Sequence, residues 1–492
     1  MLFISLRPNG GRAVIVGGGN AAVRKAESLA DAGFAVFVVA EHLDERLRSM
    51  LGGGGTFIQR RYQPGDLQGA TVVIAATDDP DVNARVVADA RNAHALVCDA
   101  SDPQRGDFTM TATARIGELT IAVDSGGAAP AFARRVAGEL ARSLDARYGD
   151  AVAGLARMRE YVRRTFEIEE RAPILRALAQ RPVDELATMP DEAICATRES
   201  ALALIQSRAV AARLAERGIS TTLLGITTAG DRDRRTPIDR LGSANVFVTE
   251  LENALRERRA DFAVHSCKDL AGTLPDDMRI AAFSSREDPR DAFCSERFAG
   301  FESLPTGAVV GTSSPRRRSQ LAALRDDLRY VPVRGNVDTR LRKLADGEYD
   351  AIVVAMAGLN RLKARAAYVV PFAADAIVPA AGQGALAVET LAAGARFATV
   401  LYDAVNDRTS ELCVRSERAA LRALRAGCSA PLGIHASLHG EHMTVDVAYE
   451  AEPGTMQRVR ASGPCATAAD AEALGAEAAQ RLQASAAAEV GR

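Results

Sequence analysis

Two short runs in the C-terminal half of the chain carry side chains suited to covalent and acid–base chemistry. Cys428 lies between a glycine and a Ser-Ala-Pro turn, the setting expected of an anchoring thiol, and thiolates are strong nucleophiles. The run 265–269 reads His-Ser-Cys-Lys-Asp, and Asp269 offers a carboxylate that can stabilise a cation or transfer protons. The alternative for Asp269 is a salt bridge to Lys268. Cys267, in the same run, is expected to pack.

Arginines gather in several short motifs. Arg316 and Arg317 follow the small-residue turn at 311–315, while Arg334 and Arg340 flank a glycine-led turn. A guanidinium stays charged and can hold a carboxylate through two parallel hydrogen bonds. Any one of these arginines could instead lie on a solvated face. Taken together they predict a site for a ligand with several carboxylates, and two further arginines belong to the set: Arg198 and Arg361.

A second constellation lies near the N-terminus, where a short apolar strand pattern at 13–16 runs into three consecutive glycines. An alanine-rich helical pattern follows at 23–32. Glycines in a strand–turn–helix let a pyrophosphate approach the backbone, and the helix N-terminus supplies free N–H groups. The alternative is a purely structural glycine turn. The residues expected to contact a dinucleotide are Gly17, Gly18, Gly19, Asn20, Ala21, Glu41 and Thr77.

The elements that must position these residues follow an α/β pattern. Strand patterns at 35–39 and 71–76 continue a βαβ order, which predicts a buried parallel sheet. Later strand patterns at 260–265 and 350–355 each follow an amphipathic helix. Ligand sites in open α/β sheets gather at the carboxyl ends of strands, where the polar motifs fall. Prolines interrupt the helical pattern between residues 180 and 193, which predicts a domain boundary near 190.

Bulk composition bounds the class of protein. A chain of 492 residues is too long for one ordinary core. With 61 Lys+Arg against 63 Asp+Glu, 5% aromatic residues and no tryptophan, nucleic acid is a poor candidate partner. The seven cysteines include no CxxC pair, which argues against a zinc site and a disulfide framework. The same cysteine pattern fits a reducing cytoplasm and a protein that holds no metal; no signal or membrane-spanning pattern is evident, so we also expect the protein to be soluble.

Five motifs in order give the C-terminal part a family resemblance. The runs at 196–200, 265–269, 311–317, 334–340 and 425–433 resemble hydroxymethylbilane synthase, also called porphobilinogen deaminase. The resemblance implies a three-domain α/β fold, with domain 1 at 191–285 and 378–404, domain 2 at 286–377 and domain 3 at 405–492. It implies the head-to-tail condensation of four porphobilinogens into linear hydroxymethylbilane, with release of ammonia.

The same resemblance implies roles for individual residues. Cys428 would carry a dipyrromethane cofactor through a thioether, Asp269 would be the catalytic aspartate, and Lys268 would act with it in catalysis and assist in carboxylate binding. Porphobilinogen carries an acetate and a propionate, so the growing linear polypyrrole multiplies its carboxylates. The side chains implied to bind the carboxylates of cofactor and substrate are Arg198, Ser266, Ser313, Ser314, Arg316, Arg317, Arg334, Arg340 and Arg361.

Three phrases in the N-terminal part, at 16–25, 75–83 and 124–131, look like precorrin-2 dehydrogenase. This implies a Rossmann-type NAD-binding domain at 1–125 and a helical region at 126–190 through which the chain would form a homodimer. It also implies oxidation of precorrin-2 to sirohydrochlorin with NAD; some members of that family insert ferrous iron as well.

Departures from both families keep other interpretations open. Ser101 stands where relatives of the dehydrogenase carry an aspartate, although Asp99 and Asp102 flank it. Ala229 and Ala244 replace an arginine and a lysine in the loop that covers the active site of deaminases. One alternative is a degenerate scaffold that binds tetrapyrroles without turnover. Another is an NAD-dependent oxidoreductase with an anion-binding partner domain, which leaves the cysteine loop unexplained.

Overall fold

A parallel five-stranded sheet forms the centre of the first 150 residues in this computed structural model. The structure describes residues 2–51, 56–189, 192–228, 248–426, 430–452 and 454–490. The chain divides into two compact units, Met1–Asp150 and Ala151–Arg492, called here the N-terminal and C-terminal units. The N-terminal sheet has the order β3-β2-β1-β4-β5 and consists of β1 (Arg12–Val16), β2 (Ala35–Ala40), β3 (Thr56–Gln59), β4 (Ala70–Ala75) and β5 (Leu96–Asp99).

Helices cover both faces of this sheet, which is why its strands are continuously apolar. Ala13 and Ile15 of β1 face one core, and Val14 and Val16 face the other. The first core is completed by α1 (Asn20–Asp31) and α2 (Glu45–Leu51), and the second by α3 (Pro80–Asn92). This arrangement confirms the predicted Rossmann-type architecture.

A hairpin and a series of helices follow the sheet. The strands β6 (Ala112–Ile116) and β7 (Leu119–Val123) pack against α4 (Pro130–Ser143). After the division at 150, helices share a core with the first helix of the deaminase-like region, through Ala211 and Ala215. These elements are α5 (Arg147–Thr165), α6 (Ile168–Ala179), α7 (Val183–Ala187) and α8 (Ala201–Ala215).

Among its described residues, the C-terminal unit contains three further sheets, two of them mixed five-stranded sheets. The first has the order β11-β17-β10-β8-β9 and the second β14-β13-β15-β12-β16. The strands in chain order are β8 (Ala193–Arg198), β9 (Thr221–Ile226), β10 (Phe262–Ser266), β11 (Met278–Phe283), β12 (Asp291–Ser295), β13 (Val309–Gly311), β14 (Arg329–Val331), β15 (Ala351–Ala355), β16 (Tyr368–Pro371) and β17 (Leu386–Leu391).

Helices flank these two sheets on both faces. The first sheet packs α8 and α13 on one face and α9 on the other, and the second packs α10 on one face and α11 and α12 on the other. Their bounds are α9 (Thr249–Arg256), α10 (Pro315–Leu324), α11 (Val337–Ala345), α12 (Met356–Leu362) and α13 (Ala398–Val405).

A third, antiparallel sheet closes the C-terminal unit. Its strands β18 (Leu432–His439), β19 (His442–Glu452) and β20 (Thr455–Pro464) pack against α14 (Arg408–Ala423) and α15 (Ala468–Val490). The predicted α/β class is therefore confirmed. Across the described ranges, no helix combines the length and the apolar character needed to cross a membrane.

Candidate active site

The predicted site residues of the C-terminal unit come together around a cavity of about 760 Å³. It opens at the ends of strands from the two five-stranded sheets, where the polar motifs of the sequence were expected. Predicted residues that line it are Arg198, Ser266, Lys268, Asp269, Ser313, Arg317, Arg334, Arg340 and Arg361. The described part of the chain holds no cluster of His, Cys, Asp and Glu that could ligate a metal.

Asp269 and Lys268 lie on a single 3-10 turn, Cys267–Asp269, directly after β10. The backbone N–H of Cys267 donates to the Ala385 carbonyl at 3.0 Å, which fixes the turn against the neighbouring segment. The Lys268 ammonium donates to Gln383 Oε1 at 3.1 Å. Burial lowers the pKa of Lys268 to about 8, and the nearby Arg317 charge acts in the same direction.

Arg316 and Arg317 share one buried carboxylate, that of Asp291. Arg316 Nη1 lies 2.7 Å from Asp291 Oδ2, and Arg317 Nη2 lies 2.7 Å from Oδ1. Arg317 lines the cavity, whereas Arg316 and Ser314 are not among its lining residues. Ser314 instead caps α10 by accepting from the backbone N–H of Arg317, and the Ser313 hydroxyl donates to the Val333 carbonyl at 2.7 Å.

The remaining arginines that line the cavity come from α11, α12, the end of β8 and, for Arg334, the segment between β14 and α11. Arg340 Nε donates to the Gly335 carbonyl at 2.8 Å, and burial lowers the pKa of Arg340 to about 10. Gly335 has φ of +107°, so a side chain there would be strained and would meet Thr339. Arg361 Nη2 donates to the Gly384 carbonyl at 2.6 Å. Arg198 ends β8.

Sequence reasoning missed three polar residues around this cavity. Gln206 of α8 donates to the Ser266 hydroxyl at 2.9 Å, and Gln383 contacts Lys268. Asp291 is fully buried. The buried run Asp291–Ser295 begins with a charged residue, which indicates a buried ionic contact. This local pattern could have pointed to Asp291.

Three sequence predictions fall on residues outside the described ranges. These are the anchoring Cys428 and the two loop departures, Ala229 and Ala244. Next to the cysteine, Ala426 and Ala430 pack against the core of the third sheet.

The glycine turn of the N-terminal unit has the shape of a dinucleotide cradle. Gly17 has φ of +123°, and a Cβ there would lie 2.2 Å from the Ala76 carbonyl oxygen. A Cβ on Gly18 would lie 2.0 Å from the His42 carbonyl oxygen. By contrast, a Cβ on Gly19 would meet nothing within 4 Å, and Gly19 is the N-cap of α1. The open N-terminus of α1 fits a pyrophosphate.

The other predicted dinucleotide contacts surround this turn. Asn20 and Ala21 begin α1, and the Asn20 side chain accepts from Arg46. Glu41 follows β2 and pairs with Arg61 at 2.6 Å. Thr77 follows β4, and its hydroxyl donates to Asn83 Oδ1 at 2.7 Å.

A buried carboxylate stands beside Ser101. Asp99 ends β5 and accepts from the Ser101 hydroxyl at 2.6 Å. Burial by itself would raise the pKa of Asp99, but hydrogen bonds from Ser101 and Asp102 and the Arg105 charge lower it overall. Asn83 joins Ser101 to Thr77, since its Nδ2 donates to the Ser101 hydroxyl at 3.1 Å.

Family models match both units. Residues 194–399 match the model described as "Porphobilinogen deaminase, dipyromethane cofactor binding domain", and residues 411–484 match "Porphobilinogen deaminase, C-terminal domain". Residues 4–112 match a model described as "Putative NAD(P)-binding". The chain therefore holds a dipyrromethane cofactor binding domain and an NAD(P)-binding domain.

Known proteins align with parts of the chain. A solved structure titled "SirC, precorrin-2 dehydrogenase" covers 37% of this chain and 92% of its own, at 23% identity and a TM-score of 0.33, too weak a likeness to assign an activity. The porphobilinogen deaminase of Albidiferax ferrireducens is 46% identical over 59% of this chain and 92% of that protein. That of Campylobacter concisus is 44% identical over 51% of this chain and 82% of that protein. Because both alignments span most of the length of these deaminases, the chain belongs to the porphobilinogen deaminase family.

Proposed function

We propose that the C-terminal unit joins four porphobilinogens head to tail, releases one ammonia for each, and takes up one water, whose oxygen becomes the hydroxyl group of linear hydroxymethylbilane. The observation that carries this proposal is that one cavity is lined by Asp269, Lys268 and five arginines. Each substrate brings two carboxylates, and the product carries all of them. A linear polypyrrole with many carboxylates needs a cavity lined by several positively charged side chains.

The cations of the cavity bind the carboxylates of cofactor and substrate in this proposal. The five arginines come from β8, α10, α11, α12 and the segment before α11, so several pyrrole units can be held at once. Ser266, Ser313 and Lys268 add polar groups to the cavity surface, while Arg316, paired with Asp291, and Ser314, the N-cap of α10, do not line it. The proposed ligands on the cavity surface are Arg198, Arg317, Arg334, Arg340 and Arg361.

Asp269 is the proposed catalytic residue. When the C–N bond of the substrate breaks, ammonia leaves with the bonding electrons and the aminomethyl carbon becomes part of a cationic azafulvene. A carboxylate beside the pyrrole ring stabilises that cation. The free α-carbon of another pyrrole then forms the new C–C bond and releases its proton, which Asp269 can accept and pass to solvent.

Cys428 is the proposed attachment point of the cofactor, through a thioether. A dipyrromethane bound there supplies the pyrrole carbon to which the first substrate is joined. The cysteine thiol is the side chain best suited to form such a bond near neutral pH. A free thiol stays reduced in the cytoplasm, which is where we propose that the protein works.

Intact-protein mass spectrometry tests this proposal. The protein is measured alone and after brief exposure to porphobilinogen, beside Cys428→Ala and the matched control Cys413→Ala, whose thiol is buried in α14. We expect a dipyrrole adduct that grows in single-pyrrole steps in the parent and the control, and no adduct in Cys428→Ala. An unmodified parent after reconstitution would overturn the proposal and favour a tetrapyrrole-binding scaffold.

For the N-terminal unit we propose NAD-dependent oxidation of precorrin-2. The support is the glycine cradle, with Gly19 open at the start of α1, and a carboxylate at the end of β5. The reaction removes a hydride and a proton from the tetrapyrrole. NAD supplies the hydride acceptor, and Asp99 is the proposed proton acceptor, taking the role for which Ser101 is unsuited.

NADH formation with precorrin-2 supplied tests this second activity. Asp99→Asn should abolish it, whereas Asp102→Asn, whose half-exposed carboxylate pairs with Arg105, should retain most of it. Loss of NADH formation in Asp102→Asn but not in Asp99→Asn would assign the role of proton acceptor to Asp102. A folded parent that forms no NADH would leave the N-terminal unit as a scaffold.

We also propose that the N-terminal unit forms a homodimer. Two large apolar side chains of α4, Phe132 and Leu140, are exposed, and a second copy would cover them. Light scattering on the full chain should give the mass of two copies, and Phe132→Glu should reduce it to one. A single-copy mass in the parent would contradict this proposal.

A further inference from the structure

Asp291 connects the two sheets that border the active-site cavity. It is the first residue of β12 and is fully buried, and it lies behind the cavity wall. Its Oδ1 accepts from Arg317 Nε at 2.9 Å and from Gln383 Nε2 at 2.9 Å. Its Oδ2 accepts from Arg316 Nη1 at 2.7 Å. One carboxylate therefore holds two guanidinium groups and one amide.

The contacts with Arg317 leave part of its guanidinium available. Asp291 takes the Nε and Nη2 edge of the group, and the Val353 carbonyl accepts from Nη1 at 3.0 Å. A guanidinium has five N–H bonds, so one on each terminal nitrogen is left over. Arg317 lines the cavity, where these two remaining N–H bonds can hold a carboxylate of the substrate.

The contact with Gln383 extends the arrangement to the catalytic turn. The Gln383 amide donates to Asp291 through Nε2, and its Oε1 accepts from the Lys268 ammonium at 3.1 Å. The amide orientation is thus fixed at both ends. Lys268 is held beside Asp269 on the same turn, and both line the cavity.

We propose that Asp291 is a positioning residue for porphobilinogen binding, which orients Arg317 directly and Lys268 through Gln383. This inference rests on the proposed function of the C-terminal unit. It adds the residue that orients Arg317 and Lys268, two of the side chains that bind the substrate's carboxylates. The negative charge of Asp291 also compensates the positive charges of two adjacent buried guanidinium groups. It does not touch the substrate.

The charges around Lys268 give the proposal a second readout. Arg316 and Arg317 from α10 disfavour its ammonium form, while Asp269 beside it and Asp291 from β12 favour that form. Loss of the Asp291 charge removes one of these two supporting carboxylates. The ammonium should then lose its proton at a lower pH, and substrate binding should weaken from that lower pH upward.

Steady-state kinetics of Asp291→Asn across a pH series tests the inference in the full chain. With two binding groups misplaced, we expect KM for porphobilinogen to rise about tenfold or more and kcat to change less than about threefold. The pH at which KM begins to increase should also fall. Asp288→Asn is the matched control, because Asp288 pairs with Arg290 outside the network and does not line the cavity. It should match the parent.

A second variant covers the case in which Asp291→Asn does not fold. Gln383→Met breaks the link to Lys268 but leaves the ion pairs of Asp291 in place, so it should raise KM without a matching loss of kcat. An unchanged KM in Gln383→Met would overturn the positioning role. So would a loss of kcat in Asp291→Asn with KM at the parental value. Turnover by the parent in the same assay separates this failure from failure of the proposed function.

Discussion

Arg286 and Glu417 form a buried two-point ion pair in the C-terminal unit. Arg286 Nη1 lies 2.7 Å from Glu417 Oε1, and Nη2 lies 3.2 Å from Oε2. The same carboxylate accepts from the backbone N–H of Gly382 at 2.6 Å and from that of Ala436 at 2.7 Å. Glu417 of α14 thereby ties the segment after β11, the Gly382 turn and β18 together.

Replacement of Glu417 by alanine should strongly destabilise the C-terminal unit. It leaves the Arg286 charge and two backbone donors buried without their acceptor, which costs about 3–5 kcal/mol for a broken buried pair. Denaturant unfolding followed by circular dichroism measures the change. Glu477→Ala is the control, because its pair with Arg481 on α15 is about half exposed and contributes about 0–1 kcal/mol. Equal stability of the two variants would contradict the prediction.

Asp269→Asn should lower the rate of porphobilinogen consumption by about 10²-fold or more, since the amide can neither accept the proton nor stabilise the cation by its charge. KM should change far less. Asp276→Asn, an exposed carboxylate a few residues along the same segment, should keep the parental rate. A rate for Asp269→Asn within about threefold of the parent would remove this residue from the chemistry.

Porphobilinogen binding should weaken as the pH rises past the pKa of Lys268. Burial and the neighbouring arginines lower that pKa to about 8, so the ammonium is present below this pH and is lost above it. KM should therefore increase between about pH 7.5 and 9. In Lys268→Met, KM should be high throughout and this rise should disappear. A rise of equal size in the variant would assign the titration to another group.

The local patterns of the sequence predicted the elements better than their contacts. The apolar strands and the glycine turn of the N-terminal unit could be predicted because a parallel sheet buried on both faces needs continuous apolar residues. The cation-rich cavity could also be predicted, because the arginine motifs that line it come at the ends of strands. A charge at the start of the apolar run 291–295 indicates a buried ionic contact, but the partners of Asp291 could not be predicted, since they lie on other elements.

The partner of a helix is equally hidden in a sequence. The family resemblance implies a helical region at 126–190, but amphipathicity shows only that a helix packs and does not identify its partner. In the structure, Phe166, Leu178 and Ala215 share one core, so helices after residue 150 pack on α8 of the C-terminal unit. The domain boundary near 190 stays a prediction, and the structure divides the chain at 150.

Tyr161 of α5 should contribute to the stability of the C-terminal unit through the edge strand β9. Its hydroxyl donates to the Thr221 carbonyl and accepts from the Thr221 N–H, each at 2.9 Å, in a buried position. Tyr161→Phe leaves both backbone groups without this partner, which should cost about 1–3 kcal/mol in denaturant unfolding. Tyr368→Phe, at a 40% exposed residue, serves as the control. No difference between the two would show that the Tyr161 hydroxyl does not contribute to stability.

Gly18 and Gly19 should respond differently to alanine, although they are neighbours in one turn. A Cβ on Gly18 would lie 2.0 Å from the His42 carbonyl oxygen, so Gly18→Ala must shift backbone and should destabilise the N-terminal unit. A Cβ on Gly19 meets no protein atom within 4 Å, so Gly19→Ala should fold normally. Because that open space is where the pyrophosphate would approach α1, Gly19→Ala should still weaken NAD binding about tenfold or more, measured by calorimetry. Gly65→Ala, also open to solvent, should leave both stability and binding unchanged. Parental NAD affinity in a folded Gly19→Ala protein would show that the dinucleotide does not bind at this turn.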